Sequence, residues 1–300
     1  MGVTIIMVTI RKRKIKGNTY YYLEHNARKN GKITKKEIYL GSEIPRDIEK
    51  IKKDFIFEIY NENWLKKFNV IKENFSKEQK QTPISAKEKE IENFAIKFTY
   101  NTQKIEGSKL TLRETANLLE KGISPKRPIR DIKEAELHKK IFNEMLKFEK
   151  DLSHQIILYW HKKLFSETKE DIAGKIRNHQ VAISGSKFIP PSALELYFLL
   201  KDFFDWYNGN KNKLHPVELS ALVHLKFVTM HPFSDGNGRI SRLMMNFVLH
   251  KKGFPMLDIS YENRNSYYTA LERAQTKKDE KIFLSWFFKK YLKENKKFLK

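Results

Sequence analysis

Residues 221–249 read ALVHLKFVTMHPFSDGNGRISRLMMNFVL, and this stretch decides the fold because two strongly apolar segments flank a short polar loop. These apolar segments, 221–230 and 243–249, predict two buried helices. Pro232 ends the first helix near His231, and Gly236 and Gly238 allow the backbone to turn tightly. We therefore expect two packed helices joined by a loop that exposes its N–H groups.

Two arginines, Arg239 and Arg242, lie three residues apart at the start of the second helix, and so on one face of it. Cations there oppose the helix dipole at about 0.3 to 1 kcal/mol each, so selection for stability alone would favour Asp or Glu. The arrangement becomes favourable when an anion binds at the helix N-terminus, where free N–H groups and both guanidinium groups converge. The pair therefore indicates a phosphate site.

The other loop residues supply the groups that phosphoryl transfer needs. Asp235 can hold Mg²⁺ against phosphates, because this cation prefers carboxylate oxygen. His231 can take a proton from an incoming hydroxyl, since its pKa lies near working pH. Asn237 can donate to a phosphate oxygen or hold the loop, and Phe233 is expected in the core. No G-x-x-x-x-G-K-[ST] sequence occurs, so a Walker-type nucleotide site is not expected.

Outward from this stretch, apolar residues recur at helical spacing from Pro45 to the end of the chain. A helix is predicted over 47–68, followed by a Lys-rich linker over 77–87. Thr111 and Glu114 form a predicted capping box before a later helix. Further helices are predicted near 85–105, 111–121, 131–149, 152–166, 192–207, 215–230, 238–251, 263–275 and 280–298. Alternating apolar residues around Ser184-Gly185-Ser186 predict a short hairpin over 179–191.

The first 45 residues differ from the rest. Two aromatic runs follow Gly17-Asn18 and Asn30-Gly31, which predicts a small antiparallel sheet with a turn at the second pair. Ten cations and a single acid, Glu24, lie between Arg11 and Lys36. Such a segment is either a nucleic-acid or partner surface or a solvated face of an appended sheet.

The composition of the chain excludes several kinds of site. The 300 residues contain no cysteine, which excludes disulfides, Cys-ligated zinc and a Cys nucleophile. The net charge of +23 comes mostly from lysine, so it is weaker evidence for a polyanionic partner than the two loop arginines are. No apolar run approaches the roughly 20 residues of a membrane span, and a cytoplasmic protein is expected. Met7 is a second candidate for the start of translation, beside Met1.

Residues 231–242 match the Fic family signature H-x-F-x-[DE]-G-N-G-R-x-x-R at every specified position, and the chain resembles this family over roughly 85–295. Fic proteins have an all-helical core and mostly transfer AMP from ATP to a protein hydroxyl. The resemblance implies His231 as general base and Asp235 as Mg²⁺ ligand. It also implies phosphate-binding roles for further residues of the motif: an anion hole at Gly236, Asn237 and Gly238, with Arg239 on the β-phosphate and Arg242 on the γ-phosphate.

Three further assignments rest on the same resemblance. Residues 102–107, TQKIEG, are similar to the family's inhibitory motif, in which Glu106 would pair with Arg242 and deny it to the γ-phosphate. The predicted hairpin corresponds to the family's flap, which docks an extended target chain. Its expected target contacts are Ile183, Ser184, Gly185, Ser186 and Lys187. Tyr267 and Gln275 occupy positions that approach the adenosine in relatives, although Gln275 replaces an expected Asn and Tyr267 is equally well read as a core aromatic.

The sequence thus predicts a mainly α protein, a Fic-type helical bundle with a β-hairpin flap, preceded by a small N-terminal antiparallel β-sheet. The expected parts are a basic sheet (1–45), a helix and linker (46–84) and a catalytic domain (85–298). The expected activity is autoinhibited transfer of AMP from ATP, with Mg²⁺, to a Ser, Thr or Tyr of a protein target. Alternatives are AMP removal by the same fold, or nucleic-acid binding through residues 11–40. The target, the nucleotide preference and the oligomeric state, including a homodimer, stay open.

Overall fold

The computed structural model of the chain describes residues 8–29 and 32–300. They form two compact units, the first ending at Lys66 and the second beginning at Lys67. Among these residues, no helix is both long and apolar enough to cross a membrane.

Helices dominate the described part of the chain, after three strands at its start. The strands are β1 Thr9–Ile15, β2 Asn18–Lys29 and β3 Lys32–Gly41. The helices are α1 Ile48–Gln81, α2 Ile84–Ile105, α3 Leu112–Lys121, α4 Ile129–Leu146, α5 His154–Phe165, α6 Leu196–Asn210, α7 Pro216–Met230, α8 Asn237–Lys251, α9 Arg264–Thr276 and α10 Glu280–Glu294. Short 3₁₀ turns cover Ala193–Glu195, Tyr261–Asn263 and Lys296–Leu299.

The first unit is an antiparallel sheet, in the order β1-β2-β3, packed on the first part of α1. Leu23 lies in register with Ile10 on one side and Ile38 on the other, and it is fully buried. Phe55 and Ile59 of α1 cover the same face. The predicted N-terminal sheet is confirmed, whereas its predicted turn at Asn30-Gly31 lies outside the described residues.

The core of the second unit is built around α7 and α8, the two helices predicted from residues 221–249. Both are buried along most of their length, and Val223, Phe227, Leu243 and Phe247 belong to one apolar cluster with Trp160 of α5. This packing fixes the two ends of the loop between them. It therefore places the His231 to Arg242 segment on a rigid support.

Local signals account for most helix boundaries. The predicted capping box is present before α3: the Thr111 hydroxyl accepts from the Glu114 N–H at 3.2 Å, and the Thr111 N–H donates to the Glu114 carboxylate at 2.9 Å. The Thr111 and Glu114 N–H groups, which have no partner within the helix, are thereby both hydrogen-bonded. Gly122, in the left-handed conformation at φ 67°, ends this helix.

Two local predictions differ from the structure. The stretch 77–87 is helical apart from Thr82 and Pro83, because its Lys, Glu and Gln residues are good helix formers and only the proline interrupts them. The segment 179–191 contains a turn in which the Ser186 N–H donates to the Ile183 carbonyl at 3.1 Å, with Gly185 at φ 74°. Its two arms, however, form no paired strands, so the segment is a turn-containing loop.

Candidate active site

The loop between α7 and α8 closes on itself through Asn237. The side-chain oxygen of Asn237 accepts from the Phe233 N–H at 2.8 Å, and its amide donates to the Phe233 carbonyl at 2.7 Å. The Phe233 ring is fully buried and stacks on His161 of α5, with 3.7 Å between ring centroids. Of the two roles expected for Asn237, the structure places it in the second, holding the loop.

His231 ends α7 in the left-handed conformation, at φ 50° and ψ 56°. Its Nδ1 lies 3.2 Å from the Val228 carbonyl, which can only accept, so Nδ1 carries the proton and Nε2 is left with a lone pair. Burial lowers the pKa of His231 below its ordinary value of 6.5, and the nearby Arg177 acts in the same direction. The side chain is therefore a neutral base at pH 7.

Asp235 is held by three groups. Its Oδ1 accepts from the Gly236 N–H at 2.5 Å and from Nη2 of Arg239 at 3.0 Å, and its Oδ2 forms an ion pair with Lys169. Burial alone would raise the pKa of Asp235, but Arg239 and Lys169 outweigh it and lower the pKa to about 2. The carboxylate is therefore ionised at any working pH, and one of its oxygens already carries a cation.

Arg239 lies in the interior, with its side chain 2% exposed. It forms an ion pair with the buried Glu134 of α4 and hydrogen-bonds to the side-chain oxygen of Gln103 at 3.2 Å, besides its contact with Asp235. Two carboxylates thus compensate this guanidinium, as burial of a charge requires. The first arginine of the loop is fixed in place by helices α2 and α4.

Arg242, one turn further along α8, is also buried and lies against the end of α2. Its Nε donates to the Thr102 hydroxyl at 2.6 Å, and its Nη2 donates to the Glu106 carboxylate at 2.6 Å. Nη1 reaches the Tyr267 hydroxyl at 3.4 Å. The structure therefore brings together the two residues that the sequence predicts as an inhibitory pair.

The Glu106 carboxylate occupies the N-terminal end of α8. A methyl group added at Gly238, in the first turn, would lie 2.5 Å from Oε1 of Glu106 and 3.0 Å from Nη1 of Arg242. This helix end combines unpaired N–H groups with two guanidinium groups, which is the environment of an anion site. Here the anion is Glu106 itself.

Comparison with known proteins agrees with this geometry. Residues 151–249, from the start of α5 through α8, match the profile of the Fic/DOC family. This third of the chain is similar to the Fic/DOC family. It is 34% identical over 184 residues to protein adenylyltransferase fic-1 of Caenorhabditis elegans and 35% identical over 183 residues to protein adenylyltransferase Fic of Drosophila melanogaster. These matches cover 59% and 58% of this chain but only 36% of either relative.

Solved structures extend the likeness beyond the profile. A 134–508 fragment of C. elegans Fic-1 superimposes with a TM-score of 0.68 at 27% identity, covering 81% of this chain and 72% of the fragment. A Fic-domain signalling protein from Bacteroides thetaiotaomicron gives a TM-score of 0.67 at 27% identity, covering 77% of this chain and 95% of its own. The mainly helical Fic fold predicted from the sequence is confirmed.

The predicted flap segment, 179–191, is attached to the loop by Arg177, which sequence reasoning missed. This side chain donates to three carbonyls: His231 at 2.8 Å, His179 at 2.8 Å and Pro191 at 2.6 Å. It is 3% exposed and has no carboxylate partner among the described residues. A single guanidinium therefore joins both ends of the flap to the histidine of the Fic motif.

The flap tip contacts α9. The Lys187 N–H donates to the Glu272 carboxylate at 3.0 Å, while the Ser186 hydroxyl accepts from the Phe188 N–H at 3.1 Å. Ile183 to Lys187, the predicted target contacts, therefore form one folded tip. Glu272 is a further residue that the sequence did not indicate.

The two predicted adenosine residues lie in different surroundings. Tyr267 is 1% exposed, and its hydroxyl bonds to Nε2 of His224 at 2.9 Å as well as to Arg242, so it touches the site only through that arginine. Gln275 donates to the Thr229 hydroxyl at 3.2 Å and lines a cavity of about 440 Å³ with Met230, the residue before His231.

Several partners of the motif residues were not predicted. His161 bonds through Nε2 to the Asp235 carbonyl at 3.0 Å, and its Nδ1 accepts from the Gly174 N–H at 2.9 Å. Burial lowers the pKa of His161 to about 4, so it is a neutral support for the loop. Lys169 and Glu134 are the other two. All three lie outside the signature, and no spacing rule in the sequence connects them to it.

Proposed function

We propose that this chain transfers AMP from ATP to a hydroxyl group of a protein and releases pyrophosphate. The observation that supports it most is the anion site at the start of α8, where Arg239 and Arg242 are buried beside His231. The naming of two relatives as protein adenylyltransferases adds to this support, although the chain spans 36% of their length.

His231 acts as the base in this reaction. Its Nε2 lone pair takes the proton from the target hydroxyl while the oxygen forms a bond to the α-phosphorus. The bond from the α-phosphorus to the bridging oxygen breaks, and pyrophosphate leaves with that electron pair. Because the protein forms no covalent intermediate, catalysis rests on positioning and on neutralising the phosphate charge.

Arg239 and Arg242 neutralise the leaving pyrophosphate. Their guanidinium groups are pre-positioned by buried partners, so little reorganisation accompanies the reaction. Arg239 keeps Glu134 as a partner, whereas Arg242 must exchange Glu106 for the γ-phosphate. Gln275 lines the neighbouring cavity and is assigned to the nucleoside.

Asp235 fits a Mg²⁺ ion that arrives with ATP. No three His, Cys, Asp or Glu side chains gather as a metal site within residues 8–29 and 32–300, which argues against a resident ion held by protein ligands alone. Magnesium commonly binds through one carboxylate plus substrate phosphates. The Asp235 carboxylate is ionised and already has a cation, Lys169, on one oxygen. When bound, the ion would add positive charge at the phosphates.

Glu106 restrains the activity. While its carboxylate pairs with Arg242 and lies over Gly238, the γ-phosphate lacks both its guanidinium and part of its space. Arg242 can satisfy one such partner at a time, so this pair is a two-state element. The flap would hold the target chain, because neither Val181 nor Ala182 forms a backbone–backbone hydrogen bond with another described residue. The Val181 carbonyl accepts only from the Gln180 side chain, at 3.4 Å.

The test uses ATP labelled at the α-phosphate or at the γ-phosphate, with Mg²⁺ and either the purified protein or a cell lysate. Glu106→Gly is expected to increase transfer of the α-label to protein at least tenfold, with no transfer of the γ-label. Adding His231→Ala should abolish transfer, while Glu88→Gly, an exposed position of the same helix, is the control. Equal labelling by the Glu106→Gly protein and its His231→Ala derivative would refute the mechanism.

A further inference from the structure

Arg242 is held by one charged partner and by two neutral residues. Its Nε donates to the Thr102 hydroxyl at 2.6 Å, its Nη2 to the Thr102 carbonyl at 3.3 Å, and its Nη1 to the Tyr267 oxygen at 3.4 Å. Within residues 8–29 and 32–300, Glu106 is the single carboxylate that pairs with it. When Glu106 leaves, the direction of the guanidinium therefore depends on Thr102 and Tyr267.

The Tyr267 hydroxyl links this guanidinium to His224 of α7. Its oxygen lies 3.4 Å from Nη1 of Arg242 and 2.9 Å from Nε2 of His224. All three side chains are buried. Nη1 also borders the first turn of α8, because a methyl group added at Gly238 would lie 3.0 Å from it. The three groups therefore form one buried chain of hydrogen bonds that ends at the anion site.

The proton positions in this chain follow from what each group can donate. An arginine N–H can only donate, so the Tyr267 oxygen accepts from Nη1 of Arg242. The Tyr267 O–H then has one partner left among the described residues, Nε2 of His224, and donates to it. The ring proton of His224 is therefore on Nδ1, which is buried and has no hydrogen-bond partner in the described part of the chain. A proton on Nε2 instead would leave both the Tyr267 O–H and Nδ1 unsatisfied.

Both His224 and Tyr267 are neutral. Burial, together with Arg242, lowers the pKa of His224 to about 3. Burial raises the pKa of Tyr267 to about 12, although Arg242 acts in the opposite direction. A neutral imidazole can accept the tyrosine proton, whereas an imidazolium would donate and turn the Tyr267 O–H toward the guanidinium. Packing alone does not explain His224, because an apolar side chain would avoid the unpaired Nδ1–H.

We propose that His224 and Tyr267 are positioning residues for Arg242. His224 fixes the direction of the Tyr267 O–H, and the tyrosine oxygen then aims Nη1 at a phosphate on the first turn of α8. This inference rests on the proposed function, in which the phosphate belongs to ATP. It assigns Tyr267 to the phosphate end of the nucleotide and not to the adenosine. Both residues act through the arginine.

The experiment measures binding of Mg²⁺-ATP and of inorganic pyrophosphate to the Glu106→Gly/His231→Ala protein by isothermal titration calorimetry. Pyrophosphate is included because it needs the arginines but neither a nucleoside nor catalysis. Tyr267→Phe should weaken both ligands about tenfold, the factor expected for a lost hydrogen bond to a charged group. His224→Leu should weaken them roughly fivefold, since the tyrosine oxygen stays but its O–H is free to turn. His224→Gln should restore binding, because its side-chain oxygen can accept the tyrosine proton.

A double variant and a matched control separate positioning from a general effect on the fold. Because the two residues act in series, His224→Leu/Tyr267→Phe should bind no more weakly than Tyr267→Phe alone. Tyr291→Phe removes another fully buried tyrosine hydroxyl, which donates to the Pro255 carbonyl at 3.0 Å, and should leave both affinities unchanged. Losses that multiply in the double variant, or an equal loss in Tyr291→Phe, would overturn the proposal.

Nitrogen-15 NMR of the wild-type protein tests the proton positions without any ligand. The His224 ring should carry its proton on Nδ1 and should not titrate from about pH 5 to 8, and a proton on Nε2 would overturn the proposal. AMP transfer by the Glu106→Gly protein with no effect of the His224 and Tyr267 variants would refute the positioning role alone. Pyrophosphate binding that depends on these residues, in a protein that transfers no AMP, would refute the proposed function alone.

Discussion

The carboxylate of Glu106 accepts a hydrogen bond from Nη2 of Arg242 at 2.6 Å, across 136 residues of sequence. Arg242 is almost fully buried, whereas the Glu106 side chain is 29% exposed at the C-terminal end of α2. The fixed partner of this pair is therefore the arginine, and the carboxylate is the partner that can leave toward solvent. Release of Glu106 would open the anion site without disturbing the core around α8.

Replacing Glu106 by Gln should give a graded release. The amide keeps the shape but removes the charge, and a charge-assisted hydrogen bond exceeds a neutral one by about 1 kcal/mol. We expect AMP transfer to rise about fivefold for Glu106→Gln, less than for Glu106→Gly. Initial labelling rates at fixed ATP measure this order, with Glu88→Gln as the control. Equal rates for Gln and Gly variants would show that space, not charge, limits ATP binding.

The pH dependence should follow His231. Burial lowers its pKa below 6.5, so the neutral base predominates at pH 7 and above and is lost as pH falls through that lowered value. Transfer by the Glu106→Gly protein should therefore be flat from pH 7 to 8.5 and decline only below about pH 6.5. Asp235, with a pKa of about 2, does not titrate in this range. A midpoint above pH 6.5 in the initial-rate profile would contradict the lowered pKa of His231.

Lys169 should compete with a divalent cation for Asp235. Its ammonium occupies Oδ2 of this carboxylate, and a half-exposed pair of this kind contributes up to about 1 kcal/mol. In the Glu106→Gly background with a non-hydrolysable ATP analogue, Lys169→Met should bind Mn²⁺ about fivefold more tightly, as measured by electron paramagnetic resonance. Lys175→Met, at an exposed position nearby, should have no effect. Weaker Mn²⁺ binding by Lys169→Met would mean that Lys169 orients the carboxylate.

Arg177→Lys should loosen the flap. A single ammonium cannot reach the three part-buried carbonyls that the guanidinium joins, and each lost hydrogen bond to a charged donor costs about 1.5 to 3 kcal/mol. We expect unfolding free energy in urea to fall by about 2 to 4 kcal/mol and hydrogen exchange over 179–191 to accelerate. Arg113→Lys, on the exposed face of α3, is the matched control. Unchanged hydrogen exchange over 179–191 would show that Arg177 does not hold the flap in place.

Sequence reasoning located the motif because its signals are local. Thr111 and Glu114 mark a helix start three residues apart, and the run from His231 to Arg242 contains its own turn residues. Glu106 was found only through resemblance to a family motif. Its pairing with Arg242 is a contact between segments far apart in sequence, and no periodicity predicts it.

The residues that were missed share this long-range character. Lys169, His161 and Arg177 lie 66, 74 and 54 residues from the loop atoms that they contact. A lone lysine or a histidine on an apolar helix has many ordinary explanations in a chain with 59 basic residues. The Lys-rich stretch at 77–87 misled for the opposite reason, since its charges and proline resemble a linker although its Lys, Glu and Gln residues favour a helix.

The double hydrogen bond between Asn237 and the Phe233 backbone has a kinetic consequence. The loop is closed by its own residues, so its shape does not depend on whether Glu106 or Lys169 is engaged. Under the proposed restraint by Glu106, activation would then require side chains to leave their partners and not a microsecond rearrangement of the loop. The lifetime of the proposed restrained state would then depend on the strength of the Glu106–Arg242 and Lys169–Asp235 ion pairs.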